Sequence, residues 1–116
     1  MKLETILPWV FIALVAGFFV YTRFVGKASA SDVHALVANG ATLLDVRSAA
    51  EFGSGHLDGA RNIPVDELPS RVAEVGPKDT PVVVYCRSGA RSARAKSVLE
   101  AAGYTKVEDL GAMSRW

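Results

Sequence analysis

The hydrophobic positions of this chain follow two different patterns. From Thr5 to Thr22 the residues are uncharged and mostly apolar, whereas further along short apolar segments alternate with polar turns. At about 1.5 Å per residue, a helix over the first segment covers roughly 27 Å, close to the ~30 Å hydrocarbon core of a bilayer. We therefore predict one transmembrane helix within an anchor at residues 1–27, with Trp9 and Tyr21 near the two membrane interfaces.

A cleaved signal peptide is the main alternative to an anchor. Lys2 supplies a basic start, and Ala28-Ser29-Ala30 has the small-x-small form of a cleavage site, so cleavage near Ala30 would export the rest of the chain. Against this, the apolar segment exceeds the ~7–15 residues of a signal core, and Arg23 and Lys27 separate it from the cut. The same two charges favour a cytoplasmic location for the residues that follow a membrane span.

Beyond residue 27 the patterns predict one α/β domain over residues 28–116. Apolar segments of strand length lie at residues 41–46, 60–64, 82–85 and 104–110. Segments of helical period or with capping signals begin near Ser31 or Asp32, at Ser48, at Val65 and at Ser92. Strands that alternate with helices imply a mostly parallel sheet, of about five strands, with helices on both faces.

Charge and cysteine content narrow the functional classes. After residue 27 the chain has ten Lys plus Arg and eleven Asp plus Glu, so this part is near neutral and nucleic-acid binding is not expected. The single cysteine cannot form an internal disulfide. His34 and His56 are far apart in the sequence, so neither a zinc site nor any other metal or cofactor is predicted.

The candidate chemistry lies in residues 81–92, PVVVYCRSGARS. An apolar strand ends at Cys86, and a turn rich in Ser and Gly then leads into a helix. A cysteine at this position lies beneath inward-pointing backbone N–H groups, which suit an anion. Arg87 and Arg91 flank it, which favours the reactive thiolate over an inert core thiol.

Three further residues are candidates for supporting this cysteine. Asp45 and Arg47 follow a predicted strand, at the sheet edge where ligands bind in parallel α/β folds. We interpret Asp45 as the partner of an arginine or as a loop cap, because one carboxylate without a second is a weak acid–base signal. His56 could act as general base toward the thiol, but we favour a role in fixing its loop by hydrogen bonding.

These motifs together resemble the rhodanese family. The resemblance is carried by the segments LLDVRSAAEFGSGHLDGARNIP and VVVYCRSGARSARAKSVLEAAGYTKVEDLGAMSRW. The similarity covers nearly all of residues 30–116. The resemblance implies a small α/β sulfurtransferase whose Cys86 takes a sulfane sulfur from a thiosulfate-like donor and passes it to cyanide or a thiol. It also implies a substrate-binding loop made of Arg87, Ser88, Gly89, Ala90, Arg91 and Ser92.

Two other functions remain open at this point. Phosphatases and arsenate reductases on the same fold use Cys-x5-Arg, which needs an arginine six residues after the cysteine. Ser92 occupies that position here, and the arginine comes one residue earlier at Arg91, which favours sulfur over phosphate. A non-catalytic domain, tethered to a membrane and binding a partner, is the third possibility. The physiological sulfur donor and acceptor and any protein partner are not specified by the residues.

Overall fold

The computed structural model describes residues 2–24 and 27–116, the side chains of residues 20–24 excepted. The first element is the helix α1, Leu3–Phe24. Pro8 lies inside α1 beyond its first turn. Its missing N–H therefore costs one backbone hydrogen bond, whereas in the first turn the N–H has no intrahelical acceptor. Large apolar side chains of α1 are exposed, among them Trp9 at 71% and Phe11 at 69%.

The prediction of a transmembrane helix is not supported. Among the described residues, no helix combines the length and the apolar character needed to cross a membrane. Tyr21, the predicted second interface residue, lies outside the residues whose side chains are described.

A mostly parallel sheet of about five strands was predicted; in the described part of the chain the sheet has four strands, and all of its neighbouring pairs are parallel. Its strands are β1 Thr42–Asp45, β2 Arg61–Asn62, β3 Val82–Cys86 and β4 Val107–Ala112. Their order in space is β2-β1-β3-β4, with every neighbouring pair parallel. The central position of β3 explains its unbroken apolar sequence, since it is covered on both faces.

Alternate residues of β3 face two separate cores. Val82, Val84 and Cys86 pack on the side of α4, Leu68–Arg71, and α5, Ala90–Ala101. Val83 and Tyr85 pack on the opposite side, where α2, Ala30–Ala38, contributes Val33. Because side chains alternate along a strand, the sheet separates the two clusters and carries helices on both faces, as predicted.

Helix boundaries follow the capping residues more closely than the apolar period. Ser48 and Glu51 form the predicted capping box at the start of α3, Ala49–Gly53. The cap of α2 is Ser29, whose Oγ accepts a hydrogen bond from the Asp32 N–H, rather than Ser31 or Asp32.

The helix predicted from Val65 to Val75 is shorter and divided. It consists of α4 and a 3₁₀ turn, Val72–Val75. Pro69 lies in the first turn of α4, where its missing N–H is harmless. A helix beginning at Val65 would have placed Pro69 in its interior, where that N–H is required.

Candidate active site

Cys86 lies at the point where the central strand ends and a helix begins. We call residues 86–91 the cysteine loop. The Cys86 side chain is buried, and the Gly89 N–H approaches its Sγ at an N···S distance of 2.9 Å. Gly89 has φ of 105° and ψ of −18°, a left-handed conformation that favours glycine. The chain therefore turns back over the sulfur within three residues.

The helix after the loop is capped by Gly89 and not, as predicted, by Ser92. Ser92 lies in the first turn of α5 with its side chain fully buried, and its Oγ donates to the Gly89 carbonyl at 3.0 Å. The same carbonyl accepts from the Ala93 N–H at 3.2 Å and from Lys27 Nζ at 3.2 Å. Three donors thus hold the Gly89 carbonyl toward the helix, and the first N–H groups of α5 point to the loop side.

The arginine that ends the loop is bound to a carboxylate. Arg91 Nη1 and Nη2 donate to the two oxygens of Glu51 at 2.6 and 3.0 Å. This hydrogen bond, followed by that from the Ser48 N–H, lowers the pKa of Glu51 to about 2. Glu51 raises the pKa of Arg91, and the Cys86 and Asp45 charges act in the same direction with smaller effect. Arg91 is thus positioned within electrostatic reach of the sulfur while fastened to α3.

The other loop residues differ in exposure. Arg87, Ser88 and Ala90 are exposed, while Gly89 is buried and Arg91 is intermediate. The structure therefore brings the predicted loop residues together around Cys86, with Arg87 at its solvent side. Whether any of them binds a donor anion stays a prediction.

Asp45 and Arg47 form a buried pair at the end of β1. Arg47 Nη2 donates to Asp45 Oδ2 at 2.7 Å, and the Arg47 N–H donates to Asp45 Oδ1 at 2.9 Å. The hydrogen bond to Asp45 raises the pKa of Arg47. Arg47 also donates to the Gly55 carbonyl at 2.7 Å, which ties β1 to the turn after α3. This is the arginine pairing that we favoured for Asp45.

His56 is exposed, and its contacts are local. Its Nδ1 lies 2.9 Å from the Phe52 carbonyl oxygen, and its ring stacks on the Phe52 ring with centroids 3.7 Å apart. These contacts fit the favoured role of fixing the loop. They give no support to His56 as general base toward Cys86.

Sequence patterns did not identify three residues that hold the loop: Lys27, Glu51 and Asp109. Lys27 Nζ lies 2.5 Å from Asp109 Oδ2, and these side chains are only 12% and 4% exposed. No contact with the loop was predicted for Glu51, which was assigned to a capping box, or for Lys27, which was assigned to a basic flank. Their contacts join residues 40 and 82 positions apart, for which a single sequence carries no periodic signal.

The part of the chain that the structure describes contains no candidate metal site. No group of three or more His, Cys, Asp or Glu side chains is placed there to hold a metal ion.

Comparisons with known proteins agree with this geometry. The family model described as "Rhodanese-like domain" matches residues 29–116. The uncharacterised Bacillus subtilis protein YqhL is 36% identical over 107 residues, which cover 91% of this chain and 84% of YqhL. The thiosulfate sulfurtransferase PspE of Escherichia coli is 41% identical over 71 residues, covering 60% and 68% of the two chains.

Two solved structures with the same fold match this chain over nearly all of their own length. The human single-domain sulfurtransferase TSTD1 has a TM-score of 0.71 at 31% identity, covering 78% of this chain and 94% of that one. An E. coli rhodanese solved with anions has a TM-score of 0.63 at 37% identity, covering 66% and 92%.

Proposed function

The chain belongs to the rhodanese-like domain family, and on that premise we propose that it is a sulfurtransferase whose Cys86 thiolate carries the sulfur. The substrates are a small anionic donor of sulfane sulfur, such as thiosulfate, and a thiophilic acceptor, such as cyanide or a thiol. The relatives named as thiosulfate sulfurtransferases support the donor class.

The reaction divides into two displacements at sulfur. The Cys86 thiolate attacks the outer sulfur of thiosulfate, a new S–S bond forms, the S–S bond of the donor breaks, and sulfite leaves with the electron pair. The acceptor then attacks the terminal sulfur of the persulfide. When cyanide is the acceptor, the persulfide S–S bond breaks, thiocyanate forms and the Cys86 thiolate is regenerated.

One observation carries the proposal: the Gly89 N–H points at Cys86 Sγ from 2.9 Å inside a loop that closes on a helix N-terminus. A hydrogen-bond donor aimed at sulfur stabilises the thiolate, and N–H groups at a helix N-terminus favour negative charge. The same loop is the place for the terminal sulfur of a persulfide, which is also anionic. A similar E. coli rhodanese was solved with anions, so anion binding is compatible with this fold.

The phosphatase alternative loses support at Ser92. That residue occupies the place of the arginine in Cys-x5-Arg, and its side chain is buried and donates to the Gly89 carbonyl. It therefore does not face a bound anion. Arg91, the nearest arginine, has its two terminal nitrogens on Glu51. A dianionic phosphate would need a free guanidinium that donates hydrogen bonds to two of its oxygens.

The test is thiocyanate formation from thiosulfate and cyanide by the full chain. We expect activity in wild type and loss of at least roughly a thousandfold in Cys86→Ser, because the reacting atom is removed, by analogy with loss of other catalytic nucleophiles. A matched control is the double variant Cys86→Ser with Ser97→Cys. It restores the thiol count at an exposed position of α5 and should remain inactive.

Two further measurements decide between the functions. Wild type incubated with thiosulfate alone should gain the mass of one sulfur atom, and Cys86→Ser should not. Equal thiocyanate release by wild type and Cys86→Ser would overturn the mechanism. Hydrolysis of an aryl phosphate by wild type but not by the variant would replace it with the phosphatase function, and no turnover of either substrate would indicate a binding domain.

Location remains a separate prediction. If the segment before Arg23 spans a membrane, the positive charge at Arg23 and Lys27 favours a cytoplasmic domain, whereas cleavage near Ala30 would export the domain. The mass of the protein recovered intact from cells tests the second: loss of the first 30 residues would establish cleavage.

A further inference from the structure

We propose that Lys27 is a positioning residue for the cysteine loop. Its ammonium group fixes the Gly89 carbonyl, and through it the peptide that begins α5 beside the sulfur. The segment that follows α1 thus takes part in building the site. This inference rests on the proposed function of Cys86, but its test measures the thiol directly rather than sulfur transfer.

Lys27 is held in the domain by its backbone as well as its side chain. It forms an isolated parallel bridge with Asp109 of β4, and the next residue, Ala28, donates its N–H to the Asp109 carbonyl at 2.8 Å. The Lys27 side chain is 12% exposed, and its Nζ lies between Asp109 Oδ2 and the Gly89 carbonyl oxygen. A long, flexible side chain is therefore confined at both ends.

Two glycines lie beside this side chain, and the approach is tight at Gly111. A Cβ added to Gly89 would lie 3.7 Å from Lys27 Nζ, and one added to Gly111 would lie 3.3 Å from Lys27 Cδ. Both glycines have positive φ, +105° and +85°. The Lys27 side chain thus packs between the cysteine loop and the bulged end of β4.

The contact with Gly89 acts on the N–H groups that face the loop. Across a planar trans peptide, the Ala90 N–H points opposite to the Gly89 carbonyl. A charged donor on that carbonyl holds the peptide in one orientation more strongly than a neutral donor does. It also fixes ψ of Gly89, whose own N–H points at Cys86 Sγ. Loss of Lys27 would leave this carbonyl with two of its three donors, which would hold the peptide less firmly, and would remove a positive charge from beside the loop.

The simpler alternative is that Lys27 only neutralises Asp109. Asp109 is buried, with 4% of its side chain exposed, and an unpaired carboxylate there would destabilise the fold. In that case, removing both charges together would leave the folded site unchanged. The two explanations therefore differ in what they predict for Cys86 in a protein that still folds.

The experiment is the pH dependence of Cys86 alkylation by iodoacetamide in the full chain, with folding checked by circular dichroism. Three variants are compared with wild type: Lys27→Met with Asp109→Asn, Lys27→Arg, and Lys106→Met. The double variant avoids an unpaired buried carboxylate. Lys106→Met removes one positive charge from an exposed position nearby and serves as the control.

We expect the double variant to be alkylated roughly threefold to tenfold more slowly at neutral pH, with its profile displaced to higher pH. Lys27→Arg should recover part of the rate, and Lys106→Met should match wild type. A folded double variant with the wild-type profile would overturn the inference and leave Lys27 as a structural ion pair. A shifted profile in the double variant, together with a wild type that has no sulfurtransferase activity, would overturn the proposed function alone.

Cleavage near Ala30 would also act on this contact. It would remove Lys27 together with Ser29, the cap of α2. A mature protein that begins after Ala30 and keeps the wild-type alkylation profile would contradict the role of Lys27, independently of the substitutions.

Discussion

The cysteine loop is held by two ion pairs that differ in burial. Lys27 and Asp109 are 12% and 4% exposed, whereas Arg91 and Glu51 are 35% and 28% exposed. Both pairs have short contacts, so distance does not separate them. Removing one partner of a buried pair leaves the other charge buried without water. In a more exposed pair, solvent screens the attraction and the carboxylate can be protonated from solution. We therefore expect loss of one partner of the buried pair to destabilise the protein more than loss of one partner of the more exposed pair.

The largest expected effect comes from breaking the buried pair at one side. Lys27→Met should lower the free energy of unfolding by about 3–5 kcal/mol, because Asp109 stays buried without a partner. Urea unfolding at neutral pH measures this. Lys106→Met, the same change at an exposed site, should stay within about 0.5 kcal/mol of wild type. Equal losses in the two variants would show that burial does not distinguish Lys27.

The second-largest loss of stability is expected at Gly89, whose carbonyl accepts the hydrogen bond from Lys27. Gly89→Ala should cost about 1–2 kcal/mol, because a left-handed φ is unfavourable for a residue with a Cβ. Space is not the cause, since the added atom would meet its neighbours at ordinary contact distances of 3.7–3.9 Å. Gly53→Ala is the control: it lies in α3 without a positive φ and with open space around it. A Gly89→Ala protein as stable as wild type would contradict the left-handed turn.

The smallest effect concerns the exposed pair and pH. The pKa of Glu51 is about 2 in the folded protein against an ordinary value of 4.5. A lowered folded pKa means that this stabilisation is complete above about pH 4.5 and is lost as pH falls toward 2. Glu51→Gln should therefore lie below wild type in urea midpoint near neutral pH, and the gap should close in acid. A gap that stays constant from about pH 7 to about pH 3 would exclude Glu51 titration as its source.

Much of the fold could be predicted because its signals are local. The apolar run of β3, the capping box at Ser48 and Glu51, and the alternation of strands with helices each lie within a few residues. The errors also have local physical causes. Pro69 restricts where α4 begins, and the left-handed Gly89 caps α5 in place of Ser92.

The candidate site divides in the same way. Cys86, the turn and the helix that follows are contiguous, so their pattern alone indicates an anion-binding thiol. The partners that orient the loop come from elsewhere. Glu51 reaches Arg91 from 40 positions away, and Lys27 reaches Asp109 from 82 positions away. Lys27 also precedes the part of the chain that matches the family model, residues 29–116.

By itself, the sequence determined the class of the domain, the position of its only thiol and the loop length that favours sulfur over phosphate. Those properties depend on the order and spacing of neighbouring residues, which the backbone converts directly into a strand, a turn and a helix. Only the tertiary structure decided that Arg91 is bound to Glu51 and that Lys27 lies beneath Gly89. Which charges meet after the chain closes depends on packing between distant segments, and burial then sets how strongly each pair acts.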